Sequence, residues 1–155
     1  MRRGQQRKDK HNCSNIAISK ELLPGGAEIA QALAPFGLEP SAALAAAIRQ
    51  YVELLLRWNR KISLTSITDP QEILQRHFAE SMFAARAIPI VRGRLVDIGS
   101  GAGFPGLALK LVAPELEVTL IEPSIKKSAF QLDVRFSIGR LRSSSRIDRS
   151  DCFLS

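Results

Sequence analysis

The sequence predicts an incomplete α/β fold of the Rossmann-like type, preceded by N-terminal helices. Three observations carry this. A strand pattern over Arg94 to Ile98 runs into the glycine-rich segment Gly99-Ser100-Gly101-Ala102-Gly103, which opens a helix. A second strand pattern, Glu117 to Ile121, follows that helix and ends on an acidic residue, Glu122. Ahead of both, an apolar stripe at Leu44, Ile48, Tyr51, Val52, Leu55 and Trp58 keeps the helical period. With 155 residues the chain is long enough for one domain with a core and too short for two.

Each element follows from local signals. Residues 1–15 are polar, with Arg2, Arg3, Arg7, Lys8 and Lys10 against Asp9, and are predicted to be a disordered basic tail. Residues 16–138 are read as a helical N-terminal part plus the first βαβ unit of the domain. Ala27 to Phe36 is a short helix closed by Gly37, and Ser41 caps a helix over about residues 42–59. Asn59-Arg60-Lys61 ends that helix, and Ile62 to Ile67 is a short extended link. Asp69-Pro70-Gln71-Glu72 then reads as a helix start, with Asp69 as cap, Pro70 in the first position and Glu72 closing a capping box. The helix runs to about Ala87 with Ile73, Leu74, His77, Phe78 and Met82 near one face, and Pro89 stops it. The glycine segment leads into a helix over about Pro105 to Val112. Past the second strand, Lys126 begins a further helix whose apolar stripe fades near Gly139. Residues 131–155 hold six Ser and five Arg but no Lys. With only scattered apolar residues to bury, residues 139–155 are predicted to be a disordered tail.

The formal net charge of +7 suggests a nucleic-acid partner, but its location matters. Residues 1–11 contribute +4 and residues 131–155 contribute +2, leaving +1 for the folded part between them. Cys13 and Cys152 sit in the two tails, with no CxxC and no Cys/His cluster, so neither a metal site nor a disulfide framework is expected. Two such cysteines suit a reducing, cytoplasmic location. No apolar segment follows the N-terminal charges, and no apolar run approaches the ~18 residues of a membrane span, so no secretion signal and no membrane partner are expected.

The glycine segment carries the chemistry. Gly99, Gly101 and Gly103 remove Cβ atoms where the backbone turns sharply and a ligand approaches. Glu122 stands 23 residues beyond Gly99, near the spacing of a carboxylate that accepts both ribose hydroxyls of a nucleotide. Two features favour a methyl donor over a dinucleotide. Asp97 lies inside the strand just ahead of the loop, where dinucleotide loops follow an apolar strand, and Pro105 comes soon after the third glycine. A methyl donor has no pyrophosphate to cradle, so the loop need only pass close to its amino-acid part. The ligand this reading selects is S-adenosyl-L-methionine.

A wider set of residues then falls into a recognisable pattern. The tract Trp58-Asn59-Arg60-Lys61-Ile62-Ser63-Leu64-Thr65, followed by Arg76-His77, Glu80-Ser81 and Asp97 to Gly106, resembles the glucose-inhibited division protein B family. Members of that family methylate a guanine at N7 in small-subunit ribosomal RNA. The resemblance covers about residues 41–130 and includes Glu122 to Phe130. It implies a Rossmann-like S-adenosylmethionine-dependent methyltransferase fold, here incomplete. It further implies donor contacts at Gly99 and Phe104, with Gly101 and Gly103 shaping the loop and Glu122 holding the ribose. The implied substrate is small-subunit ribosomal RNA or the assembling small subunit, and a monomer is expected.

Guanine N7 already offers a lone pair in the base plane, so no catalytic acid, base or nucleophile is expected; alignment of N7, methyl carbon and sulfur is the enzyme's task. His77 is accordingly read as a packed, hydrogen-bonded histidine and Trp58 as core. Asn59 and Thr65 are read as residues that fix a loop, and Lys126 and Lys127 equally as phosphate contacts or as solvated. Family members continue with further strands that are not recognisable after Phe130, which leads to the expectation of a truncated or frameshifted product with impaired activity. Two other readings stay open: an NAD-binding Rossmann oxidoreductase domain, and a non-enzymatic RNA-binding remnant acting through its tails. Asp97 and the Trp58–Thr65 tract argue against the first. Strong salt dependence of RNA binding would mark the second.

Overall fold

A computed structural model of the chain describes residues 22–88, 92–141 and 145–148. The expected basic tail over residues 1–15, both cysteines and residues 149–155 lie outside the described residues. Helix α1 (Gly26–Leu33) continues as a 3-10 turn, Ala34–Phe36, and stops at Gly37, whose φ of 67° is left-handed. Helix α2 (Ala42–Asn59) starts on Ser41, whose hydroxyl accepts from the Leu44 amide at 3.2 Å. Its buried residues Ala47, Ile48, Tyr51, Val52, Leu54 and Leu55 follow the expected stripe.

Asp69 caps α3 (Pro70–Glu72), its carboxylate accepting from the Glu72 amide at 2.8 Å. The Glu72 side chain pairs with Arg76 Nε at 3.2 Å. Beyond Glu72 the helix departs from the expected α-helix: Ile73–Ala79 is π-helical before α4 (Glu80–Ala87) resumes. The buried pairs Ile73/Leu74 and Phe78/Ala79 lie five residues apart. Bonding from i to i+5 stacks such pairs on one face, whereas the tighter α-turn would splay them.

Strand β1 (Arg92–Ile98), helix α5 (Gly106–Val112) and strand β2 (Glu115–Ile121) form the expected βαβ unit. The strands are parallel, in register from Arg92↔Glu115 to Ile98↔Ile121. Helix α6 (Ile125–Ser137) is capped by Ser124, whose side chain accepts from the Lys127 amide. Two strands were legible, but the described residues form three: β3 (Ser145–Asp148) pairs parallel with β2, giving the order β1-β2-β3. Disorder from residue 139 onward is therefore corrected for two segments, the 3-10 turn Gly139–Leu141 and β3. Ile138 and Leu141 are buried, so the scattered apolar residues do find the core. A four-residue strand with one large apolar residue, Ile147, carries no periodic signal; backbone pairing to β2 holds it.

Right-handed crossovers put α5 and α6 on one face of the sheet. Leu116, Val118 and Leu120 point to that face and are buried, while Val96 and Ile98 on the other are 56 % and 72 % exposed. The N-terminal helices do not cover this bare face. They pack instead on α5 and α6, as a further layer on the helical side. Parallel sheets are ordinarily covered on both faces, so the arrangement is an incomplete α/β domain.

Candidate functional site

The glycine loop leaves the tip of β1 and is fastened at both ends. The Gly99 amide donates to the Ile121 carbonyl at the end of β2 (2.8 Å), and the Gly103 amide donates to the Ser100 carbonyl (2.6 Å). Asp97 closes the turn: its Oδ2 accepts from the Gly106 amide at 2.9 Å, at the start of α5. A carboxylate here favours the positive end of the helix. Burial raises the Asp97 pKa from its ordinary value; the Gly106 amide acts against this, and the nearby Glu122 charge adds to it. Asp97, singled out in the sequence as a mark of donor type, therefore works as a fastener of the loop. The Phe104-Pro105 peptide is cis.

The glycines divide into two kinds. Gly99, Gly101 and Gly103 all have positive φ, at 73°, 53° and 83°. A Cβ built on Gly99 would meet nothing within 4 Å, and one on Gly101 only the Gly99 carbonyl at 3.8 Å. A Cβ on Gly103 would lie 2.7 Å from Leu107 Cδ1 and closer still to the Tyr51 hydroxyl, and one on Gly106 would lie 2.7 Å from Leu120. Gly99 and Gly101 thus present open backbone, while Gly103 and Gly106 permit close packing of the loop on the protein.

Glu122 stands where the sequence places it, just past β2, and is 4 % exposed. Its Oε2 accepts from the Gly101 amide at 2.8 Å and its Oε1 from the Ser124 amide at 2.9 Å. It therefore binds the loop as well as facing it. A carboxylate has about four acceptor positions, and these two bonds use two of them.

Phe104 sits in an aromatic cluster. Its ring stacks on Tyr51 (centroids 5.1 Å, planes 17° apart) and on His77 (4.9 Å, 16°), with Phe78 edge-on at 5.0 Å. Tyr51, read from sequence only as part of the α2 stripe, also donates its hydroxyl to the Ala102 carbonyl at 2.7 Å. Burial, with the Asp97 charge, pushes its phenol well above the usual range, so it stays a donor. Gln131 is the other residue that sequence reading missed. Fully buried on α6, it donates Nε2 to Ser100 Oγ (2.8 Å) and to the Gly101 carbonyl (2.9 Å). Its Oε1 has no partner among the described residues. A polar residue on the buried stripe of α6, one turn after Ser128, was the available signal.

The Trp58–Thr65 tract packs as expected and does not reach the loop directly. Asn59 Oδ1 accepts from the Leu64 and Thr65 amides and its Nδ2 donates to the Thr65 carbonyl, closing the turn after α2. Trp58 Nε1 donates to Asp133 Oδ2 at 2.7 Å, and Arg57 pairs with the same oxygen at 3.1 Å. Among the described residues no group of three or more His, Cys, Asp or Glu could hold a metal ion, and no helix is long and apolar enough to cross a membrane.

A parallel sheet, a glycine loop at its first strand-to-helix turn and an acid at the tip of its second strand define an α/β domain of the kind that binds a nucleotide-like ligand at the strand ends. The model of the GidB family, rRNA small subunit methyltransferase G, matches residues 44–139, and the chain belongs to that family. The match continues past Phe130, so Gln131 and Asp133 lie within family sequence and the departure begins later than the sequence suggested. Proteins named ribosomal RNA small subunit methyltransferase G are similar to it. That of Roseiflexus castenholzii is 53 % identical over 81 residues, covering 52 % of this chain and 35 % of the relative. That of Geobacter sp. (strain M21) is 40 % identical over 116 residues, covering 75 % and 50 %. That of Azoarcus sp. (strain BH72) is 38 % identical over 118 residues, covering 76 % and 55 %. The chain spans about half the length of these relatives, or less.

Proposed function

We propose that the glycine loop binds S-adenosylmethionine, and that the protein uses it to methylate guanine N7 in small-subunit ribosomal RNA. The observation that carries this reading is the open backbone of Gly99 and Gly101 beside Glu122. In this reading Gly99 and Gly101 face the amino-acid part of the donor, and Gly103 and Phe104 hold the loop's far end. Glu122 accepts the ribose hydroxyls with the lone pairs that the Gly101 and Ser124 amides leave free. The donor supplies an electrophilic methyl group on a sulfonium; the chain positions it and needs no proton acceptor of its own. Names of the relatives support ribosomal RNA of the small subunit as the substrate class. The described residues alone bind the donor weakly, because β1 has one open edge and one bare face.

Titration calorimetry with S-adenosylmethionine, S-adenosylhomocysteine and NAD tests this. The expected result is a donor-specific signal for the first two, lost in Glu122→Ala, and none for NAD. A preference for NAD, or no difference between Glu122→Ala and the parent, would refute the assignment. Methyl transfer is read by mass spectrometry of 7-methylguanosine in small-subunit ribosomal RNA incubated with the protein.

A further inference from the structure

We propose that His77 is a positioning residue for the glycine loop: its ring is the outer plate of a three-ring stack, His77–Phe104–Tyr51, that holds the loop's last turn in place. The proposal rests on the donor-site reading for its functional meaning, but its geometry stands alone. Phe104 has two nearly parallel neighbours, His77 at 16° and Tyr51 at 17°, with centroids 4.9 and 5.1 Å away, a pair of contacts that a stack with Phe104 in the middle accounts for. Tyr51 also fixes the backbone two residues earlier, through the Ala102 carbonyl. The inner plate is thus bonded to the loop it supports. The outer plate is held from elsewhere: His77 Nε2 lies 2.9 Å from Thr65 Oγ1, and the same hydroxyl oxygen accepts from the Ile67 amide at 3.1 Å.

Two features make His77 suited to this. It sits in the π-helical segment, whose wide turn lets consecutive residues, His77 by its face and Phe78 by its edge, both reach the Phe104 ring. It is half-buried, and burial holds its pKa below the usual value although Glu80 and Glu72 on the same helix pull the other way. The other elements packed on it contribute Thr65 and Phe104, neither of them charged. The hydrogen bond between Nε2 and the Thr65 hydroxyl fixes the ring plane. The turn after α2, closed by Asn59, is thereby joined to the donor loop through one hydrogen bond and one ring contact.

The test compares His77→Ala, which removes plate and hydrogen bond, with His77→Phe, which keeps the plate, and Thr65→Val, which removes only the hydroxyl. Amide hydrogen exchange at Gly103 and Leu107, both hydrogen-bonded within the loop, reads loop opening with no ligand present. S-adenosylhomocysteine affinity is read by calorimetry. Loss of the plate is expected to speed exchange at both amides and weaken affinity by about three- to tenfold, the size of one aromatic pair. His77→Phe is expected to restore both, and Thr65→Val to fall between. Unchanged exchange in His77→Ala, or loop opening in His77→Phe as large as in His77→Ala, overturns the proposal. If the parent protein binds no donor, the donor-site reading fails, and hydrogen exchange still decides this inference. Should His77→Ala not fold, Thr65→Val and His77→Phe carry the comparison: exchange at the parent rate in His77→Phe with faster exchange in Thr65→Val supports the proposal, and exchange in His77→Phe as fast as in Thr65→Val or faster overturns it.

Discussion

Placing one methyl group at Gly103 and another at Gly99 separates two roles that glycines play in the same loop. Both residues have positive φ, 83° and 73°, so each alanine carries the left-handed penalty of about 1–2 kcal/mol. Only Gly103 adds a collision, with Leu107 at 2.7 Å and with the Tyr51 hydroxyl. Overpacking of that kind costs about 1–3 kcal/mol, giving about 2–5 kcal/mol in all for Gly103→Ala. Tyr51 cannot retreat cheaply, because its ring is fully buried and its hydroxyl is engaged by Ala102. Urea unfolding followed by circular dichroism measures the difference. Gly103→Ala is expected to shift the midpoint substantially more than Gly99→Ala, with m unchanged. Donor affinity is expected to show the opposite bias per unit of stability lost, since the Gly99 methyl projects into the open space where the donor is proposed to lie. Equal destabilisation by the two alanines would refute the packing argument. Full donor affinity in Gly99→Ala would refute the placement of the donor.

Three further outcomes follow from the same geometry. Gln131→Leu removes both hydrogen bonds under the loop and leaves the Gly101 carbonyl unpaired, so a loss of about 1–3 kcal/mol is expected by urea unfolding. Asp133→Ala is expected to cost about 1.5–3 kcal/mol, mostly through the Trp58 bond because the Arg57 side chain is 52 % exposed, and the emission of the chain's one tryptophan reports it. His77 has a folded pKa below its unfolded value near 6.5, so the unfolded chain binds more protons between the two. Stability is then expected to rise with pH across that window and level off above it, and His77→Phe to flatten this part of a pH series of melting temperatures.

Much of this structure was legible because its signals are local. Ser41 and Asp69 cap the helices they were expected to cap, and Gly37 stops α1 in the left-handed region. The glycine loop and Glu122 were legible because a sharp turn and a buried acid restrict residue choice at fixed spacing. What was not legible depends on contacts between distant residues. Tyr51 and Leu55 look alike along the α2 stripe, yet only the tyrosine meets the loop, 51 residues away in sequence. Gln131 lay on the helix expected from Lys126, but nothing local to it tells a buried glutamine from a solvated one. The π-helical turns over Ile73–Ala79 leave no mark in a pattern of apolar residues that also fits an α-helix. β3 owes its place to pairing with β2, which periodicity in four residues cannot announce.

The glycine loop is fixed without the bare face or the open edge of the sheet beneath it. Ile121 and Glu122 hold its first half from β2, Gln131 supports its middle from α6, and Asp97 joins it to α5. Tyr51 and His77 brace its end from the N-terminal helices. None of these contacts comes from the bare face of the sheet or the open edge of β1. Preorganisation of the loop and closure of the sheet are therefore separable properties. Val96 and Ile98 on the bare face make none of these contacts, while substitutions at Tyr51, Gln131 or Asp97 act on the loop itself.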